Sequence, residues 1–153
     1  MADHRATVEW RSDGAFREGR YSRAHSWRFD GGAVVPASAS PHVVAPPMSD
    51  PAGIDPEEAL VASASSCHML WFLHLAHDAG LDVAAYRDEA SGTMGKDERG
   101  RMAITRIVLR PRIEFAGDPP DRATLDRLHH EAHEQCFIAN SLRSEIALEL
   151  PEA

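Results

Sequence analysis

Apolar residues alternate with polar ones over six stretches of the chain, and over two others they recur at helical spacing or run almost unbroken. Residues 6–12 alternate weakly and predict a strand. Tyr21, Arg23, His25, Trp27 and Phe29 then share one parity against Arg20, Ser22, Ala24, Ser26 and Arg28. That pattern predicts a strand with an aromatic inner face, which also carries Arg23 and His25. Asp30-Gly31-Gly32 is a hairpin turn signal, and residues 33–39 supply the return strand. From Ser40 to Ile54 four prolines enforce an extended loop. Residues 81–94 predict a strand, Lys96 to Gly100 a charged turn, and 101–115 a strand that is partly apolar on both faces and hence central. Residues 144–150 alternate as a final strand.

Between these lies the stretch Asp55 to Gly80, DPEEALVASASSCHMLWFLHLAHDAG. Asp55 suits a helix N-cap, Pro56 the first helical position, and Glu57 and Glu58 the positive end of the helix dipole. Gly80 closes it as a C′ residue. So apolar a helix predicts cover on nearly every side, while its serines and histidines make it a poor membrane span. Residues 121–143 form a second helix, with Leu125, Leu128, Ala132 and Cys136 at helical spacing. The expected order is β-β-β-α-β-β-α-β, an α+β domain over residues 1–153 in which two helices cover antiparallel sheet.

Composition narrows the function classes. The net charge is −8 and the pI about 5.5, and an acidic chain of this kind does not fit nucleic acid or an anionic membrane as partner. No apolar run follows Met1, which predicts neither signal peptide nor anchor and a cytoplasmic setting. There a distant cysteine pair reads as catalytic or redox-active before it reads as a structural staple.

The cysteines are Cys67, in the middle of the apolar helix, and Cys136, on the inner stripe of the second. Singly, each reads as a small core hydrophobe. If the two helices cover one small domain, their apolar faces meet and both sulfurs lie in one seam, where Cα atoms within about 7 Å permit a disulfide. A reactive Cys67 needs a cation, because apolar burial raises a thiol pKa. Arg23 has the inward parity for that role, and Glu57 is a carboxylate placed to pair with it.

Two other constellations compete. His129 and His133, at i and i+4, with Cys136 one turn on, have the spacing of a zinc site, although helix histidines are more often surface groups; neither an HExxH nor a CxxC motif supports it. His74 reads as a satisfied polar group in the core, and His68 as a neighbour of Cys67 that points away from it. Alternatively, the apolar seam is a non-enzymatic binding module for an apolar ligand, which would not need either sulfur.

DPEEALVASASSCHM resembles the motif of the OsmC/Ohr family, the osmotically inducible protein C and organic hydroperoxide resistance proteins, and HHEAHEQCFIANSLRSEIALEL is similar to that family's second-cysteine helix and closing strand. The family usually has proline directly after the second cysteine; here Phe137 stands there. The resemblance implies a thiol-dependent, peroxiredoxin-type peroxidase acting on organic hydroperoxides and hydrogen peroxide. In it Cys67 is peroxidatic, Cys136 resolving, and Glu57 the partner of an active-site arginine, which falls at the first hairpin, near Arg17, Arg20 and Arg23. It further implies no metal or organic cofactor, an external dithiol or lipoylated reductant, and an intertwined homodimer. Helix geometry points the same way. Ten residues at about 1.5 Å each put Glu57 roughly 15 Å along the axis from Cys67, so an arginine paired to Glu57 reaches Cys67 either through a bent helix or in a site shared between subunits.

Overall fold

The computed structural model describes residues 1–152. Contacts within the chain group into two compact units, Met1–Ala59 and a second that begins at Leu60.

In the first unit, β1 (Ala6–Glu9), β2 (His25–Phe29) and β3 (Val34–Ala37) form an antiparallel sheet in which Trp27 stands opposite both Val8 and Val35. The Asp30-Gly31-Gly32 turn is closed by the Phe29 N–H on the Ala33 carbonyl (2.9 Å), with Gly32 at φ 92°. The proline-rich loop is tied back to β3. Ile54 N–H donates to Pro36 O and Ser38 N–H to Ile54 O, both at 3.0 Å. A side chain at Gly53 would come within 2.9 Å of the Ala37 carbonyl carbon, so only glycine lets the loop lie this close. β2 is shorter than the alternation suggests: Tyr21 and Arg23 precede it. The Arg23 N–H is taken by the Met48 carbonyl (2.8 Å), not by a neighbouring strand.

α1 (Pro56–Asp78) starts with a capping box. Glu58 N–H donates to Asp55 Oδ1 (2.8 Å), and Asp55 N–H donates back to Glu58 Oε2 (3.1 Å). It ends at Gly80, φ 76°. Only the stripe Ala64, His68, Phe72 and Ala76 is buried, and Leu70 is 61% exposed, so the chain does not surround the helix as its composition suggests.

The second unit holds β4 (Val83–Asp88), β5 (Ser91–Lys96), β6 (Met102–Leu109), β7 (Pro111–Phe115), α2 (Arg122–Gln135), α3 (Phe137–Ser141) and β8 (Glu145–Leu148). The strands expected over 81–94 and 101–115 are each divided, so β4 pairs with β7 in one sheet and β5 with β6 in another. The division has a local cause. Pro111 has no N–H, and the Arg110 N–H is captured by Asp88 Oδ1 at 2.6 Å. β8 pairs with β6 in parallel, contrary to the all-antiparallel expectation, because α2 and α3 carry the chain back to run the same way. One core cluster joins α1 and α2 through Phe72, Ala76, Leu128 and Ala132. Another sets Ala64 of α1 against Ile107 and Leu109 of β6.

Candidate active site

The second helix of the sequence reading is broken at Cys136, which ends α2 and opens α3. Its backbone is extended there (φ −66°, ψ 110°), and its Sγ accepts the Ala139 N–H at 3.4 Å. The break turns Cys136 inward, 1% exposed, toward half-buried Cys67 on α1. Burial pushes the Cys136 thiol up, the Ala139 bond opposes this, and the nearby Cys67 thiol raises it again. The structure thus brings the two sulfurs of one chain to one seam, both as free thiols.

Beside them lies a buried pair that sequence reasoning missed. His68 and His129 are 1% and 2% exposed, with Nε2 of the first 3.0 Å from Nδ1 of the second and ring planes 5° apart. His129 also stacks on Phe72, ring centroids 4.4 Å apart. Burial drives both imidazoles from 6.5 down to about 4. The signal was present: His68 falls in the Ala64–Phe72–Ala76 stripe, and His129 beside Leu128 on the apolar face of α2. His74, expected inside, lies out on the surface near Asp78 at 3.5 Å. The zinc constellation of His129, His133 and Cys136 does not assemble, and His129 instead turns its Nδ1 to His68. Among the described residues no three His, Cys, Asp or Glu side chains are grouped as metal ligands.

Arg23 and Glu57 both belong to the first unit. The Arg23 guanidinium lies over the Tyr21 ring, 3.7 Å from its centroid, and its Nη1 donates to the Tyr21 carbonyl at 2.7 Å. It lines an open apolar cavity of about 400 Å³ with Trp10, Phe16, Tyr21 and His25. His25 is fixed there: Nδ1 lies 2.7 Å from the Arg23 carbonyl, and Nε2 accepts from Trp27 Nε1 at 3.1 Å. Arg17 and Arg20 are exposed. Glu57 Oε2 is buried with no hydrogen-bond partner, and among the described residues no ion pair joins Glu57 to Arg23. The structure therefore unites Cys67 with Cys136 but leaves the arginine and the carboxylate unpaired.

A family model described as OsmC-like protein matches residues 49–150. An OsmC-like protein of unknown function from Vibrio cholerae has a solved structure 48% identical in sequence, with a TM-score of 0.96, covering 99% of this chain and 100% of that one. The organic hydroperoxide resistance protein OhrB of Bacillus subtilis is 21% identical with a TM-score of 0.71, covering 98% of each chain. An organic hydroperoxide resistance protein from Elizabethkingia anophelis is 17% identical with a TM-score of 0.72, covering 98% of this chain and 94% of its own. The last two likenesses show a shared fold. No curated protein matches the chain.

Proposed function

Because the chain belongs to the OsmC-like protein family, we propose that it is a cysteine-based peroxidase for organic hydroperoxides and hydrogen peroxide, serving oxidative-stress defence. The observation that carries this reading is the meeting of Cys67 and Cys136 in one seam. The Cys67 thiolate attacks the terminal peroxide oxygen. The O–O bond breaks, the alcohol (or water) leaves with a proton, and the sulfur becomes a sulfenic acid. Cys136, whose burial keeps it protonated while Cys67 reacts, then attacks that sulfur. Water is lost and a disulfide forms. An external dithiol or lipoylated reductant is oxidised in turn and restores both thiols. No metal or organic cofactor enters these steps.

Arg23 steadies the developing charge on the leaving oxygen, and Glu57 orients Arg23. The support for these roles is that, among the described residues, Arg23 meets no carboxylate, only the Tyr21 ring and carbonyl, and that Glu57 Oε2 has no donor. A buried carboxylate oxygen without a donor is costly, and α1 is a continuous helix from Pro56 through Cys67. Both facts favour a homodimer in which Arg23 and Glu57 of one subunit serve Cys67 of the other. Exposed Val8 (66%), Leu70 (61%) and Phe137 (67%) supply apolar surface for such a partner. The working compartment is the cytoplasm.

One equivalent of cumene hydroperoxide tests the reading. It should convert two titratable thiols to none and give a Cys67–Cys136 cross-link by mass spectrometry. Thiols that survive the oxidant would remove the peroxidase assignment. A second reading, a binding module for an apolar ligand, draws on the aromatic cavity around Tyr21. It would survive replacement of both cysteines by serine.

A further inference from the structure

The His68–His129 pair has a physical cost that the peroxidase chemistry alone does not explain. Two neutral imidazoles carry one N–H each, and a single bond joins them. One N–H and one lone pair must therefore be left over, and the structure shows both: His68 Nδ1 and His129 Nε2 are buried without partners. The seam around them is apolar, built of Phe72, Ala76, Leu128 and Ala132. Leucines there would bury as much surface with no orphaned polar atom. What leucines would not supply is direction. Apolar contacts permit two helices to slide, whereas a hydrogen bond of 3.0 Å between near-parallel rings fixes spacing and axial register together.

The place at which that register is fixed is informative. His68 directly follows Cys67 on α1, and His129 precedes Cys136 by seven residues, about two turns of α2. Sulfurs that form a bond must close to about 2.05 Å with a restricted dihedral, so a small slip between the helices is enough to miss.

We propose that His68 and His129 are positioning residues for the thiol–disulfide step, holding α1 and α2 in the register at which Cys136 reaches Cys67. This rests on the two-cysteine reading above. Among the described residues neither imidazole hydrogen-bonds to a cysteine sulfur; their bond is to each other. The titratable and charged groups near the pair are His133, Asp88, Asp126 and Arg122, so the bond is not set beside one dominant ion.

The test uses diamide, a thiol-specific azo oxidant, on the full-length reduced protein. Its N=N bond adds one thiol, the second thiol displaces it as the hydrazine, and two thiols become one disulfide with both protons and both electrons accounted for. In His68→Leu/His129→Leu, closure of the Cys67–Cys136 disulfide should slow on the order of tenfold or more at temperatures well below unfolding. His68→Gln/His129→Asn places an amide near each of the two bonded nitrogens and should restore most of the rate, even if it melts earlier. A folded leucine variant that closes at the wild-type rate overturns the proposal. If the leucine variant does not fold, His129→Asn is compared with His129→Gln, which carries its amide one methylene too far. Equal closure rates then overturn it. Normal closure with diamide but inertness to hydroperoxide would sink the peroxidase reading and leave this one standing.

Discussion

Asp88 Oδ1 accepts the backbone N–H of Arg110 at 2.6 Å, and the same carboxylate receives the Ser65 hydroxyl of α1 through Oδ2. One side chain thus divides a long hairpin into two sheets and anchors the division to the central helix. Arg110 is held on its other side by Glu149 (2.8 Å) and the Ser91 hydroxyl (2.9 Å). Asp88→Ala leaves a half-buried N–H without its acceptor and should cost about 1–3 kcal/mol. Asp88→Asn keeps one acceptor and should cost less. Urea unfolding of the two variants checks the order, and equal midpoints for Asp88→Ala and wild type would refute it.

Gly92 faces α1 so closely that a Cβ there would sit 2.6 Å from Val61 Cγ2 and 3.3 Å from Ile104 Cγ2. Valine is stiff at χ1 and has no easy retreat. Gly92→Ala should destabilise by about 1–3 kcal/mol, and Val61→Ala in the same chain should recover part of the loss. A double-mutant cycle measures the coupling; additive losses would mean that the helix simply moves aside.

The proposed chemistry gives the two sulfurs unequal roles. Cys67→Ser should abolish consumption of hydroperoxide, while Cys136→Ser should allow about one turnover and then accumulate Cys67 sulfinic acid. Stopped-flow peroxide assays with mass spectrometry distinguish the variants. Wild-type consumption by Cys67→Ser removes the proposed chemistry altogether.

Stability should depend on acid in a defined window. His68 and His129 stay neutral in the folded chain down to about pH 4, whereas unfolded imidazoles take up protons near 6.5. Between those values the unfolded state binds more protons, so stability falls as pH drops from about 6.5 toward 4 and is unaffected by this pair above that range. The slope approaches about 1.4 kcal/mol per pH unit for each such group. Replacing both histidines by leucine should flatten the curve in that window, as followed by thermal melts from pH 7 to 4.

If the site is shared between subunits, chains carrying Cys67→Ser and chains carrying Arg23→Ala, unfolded and refolded together, should regain part of the activity that each lacks alone. Sedimentation should show a dimer. A fully active monomer at nanomolar concentration contradicts the shared site.

Much of this architecture is visible in the sequence, because local chemistry specifies it. Asp55, Pro56 and Gly80 mark both ends of α1, and Asp30-Gly31-Gly32 marks the first hairpin. What escapes the pattern is set by distant groups. The alternation through 101–115 continues across Arg110, since the break comes from a carboxylate 22 residues earlier in the chain. Arg23 keeps strand parity, yet its N–H is drawn to Met48 and it falls short of β2. The helix break at Cys136 carries neither glycine nor proline. The buried histidines stand in the correct stripes, but a helix histidine has a prior toward solvent that only packing overrides.

Phe137 follows Cys136 directly, and its ring meets Trp71 of α1 edge-on, with centroids 5.5 Å apart and planes at 79°. The indole is therefore seated on the two segments that the proposed Cys67–Cys136 disulfide would link. Indole emission is sensitive to neighbouring sulfur and to the polarity of its surroundings, so closure of that disulfide should change the emission of Trp71. With Trp10 and Trp27 replaced by phenylalanine, each turn of the proposed cycle should become readable as light, without a dye or a coupled assay.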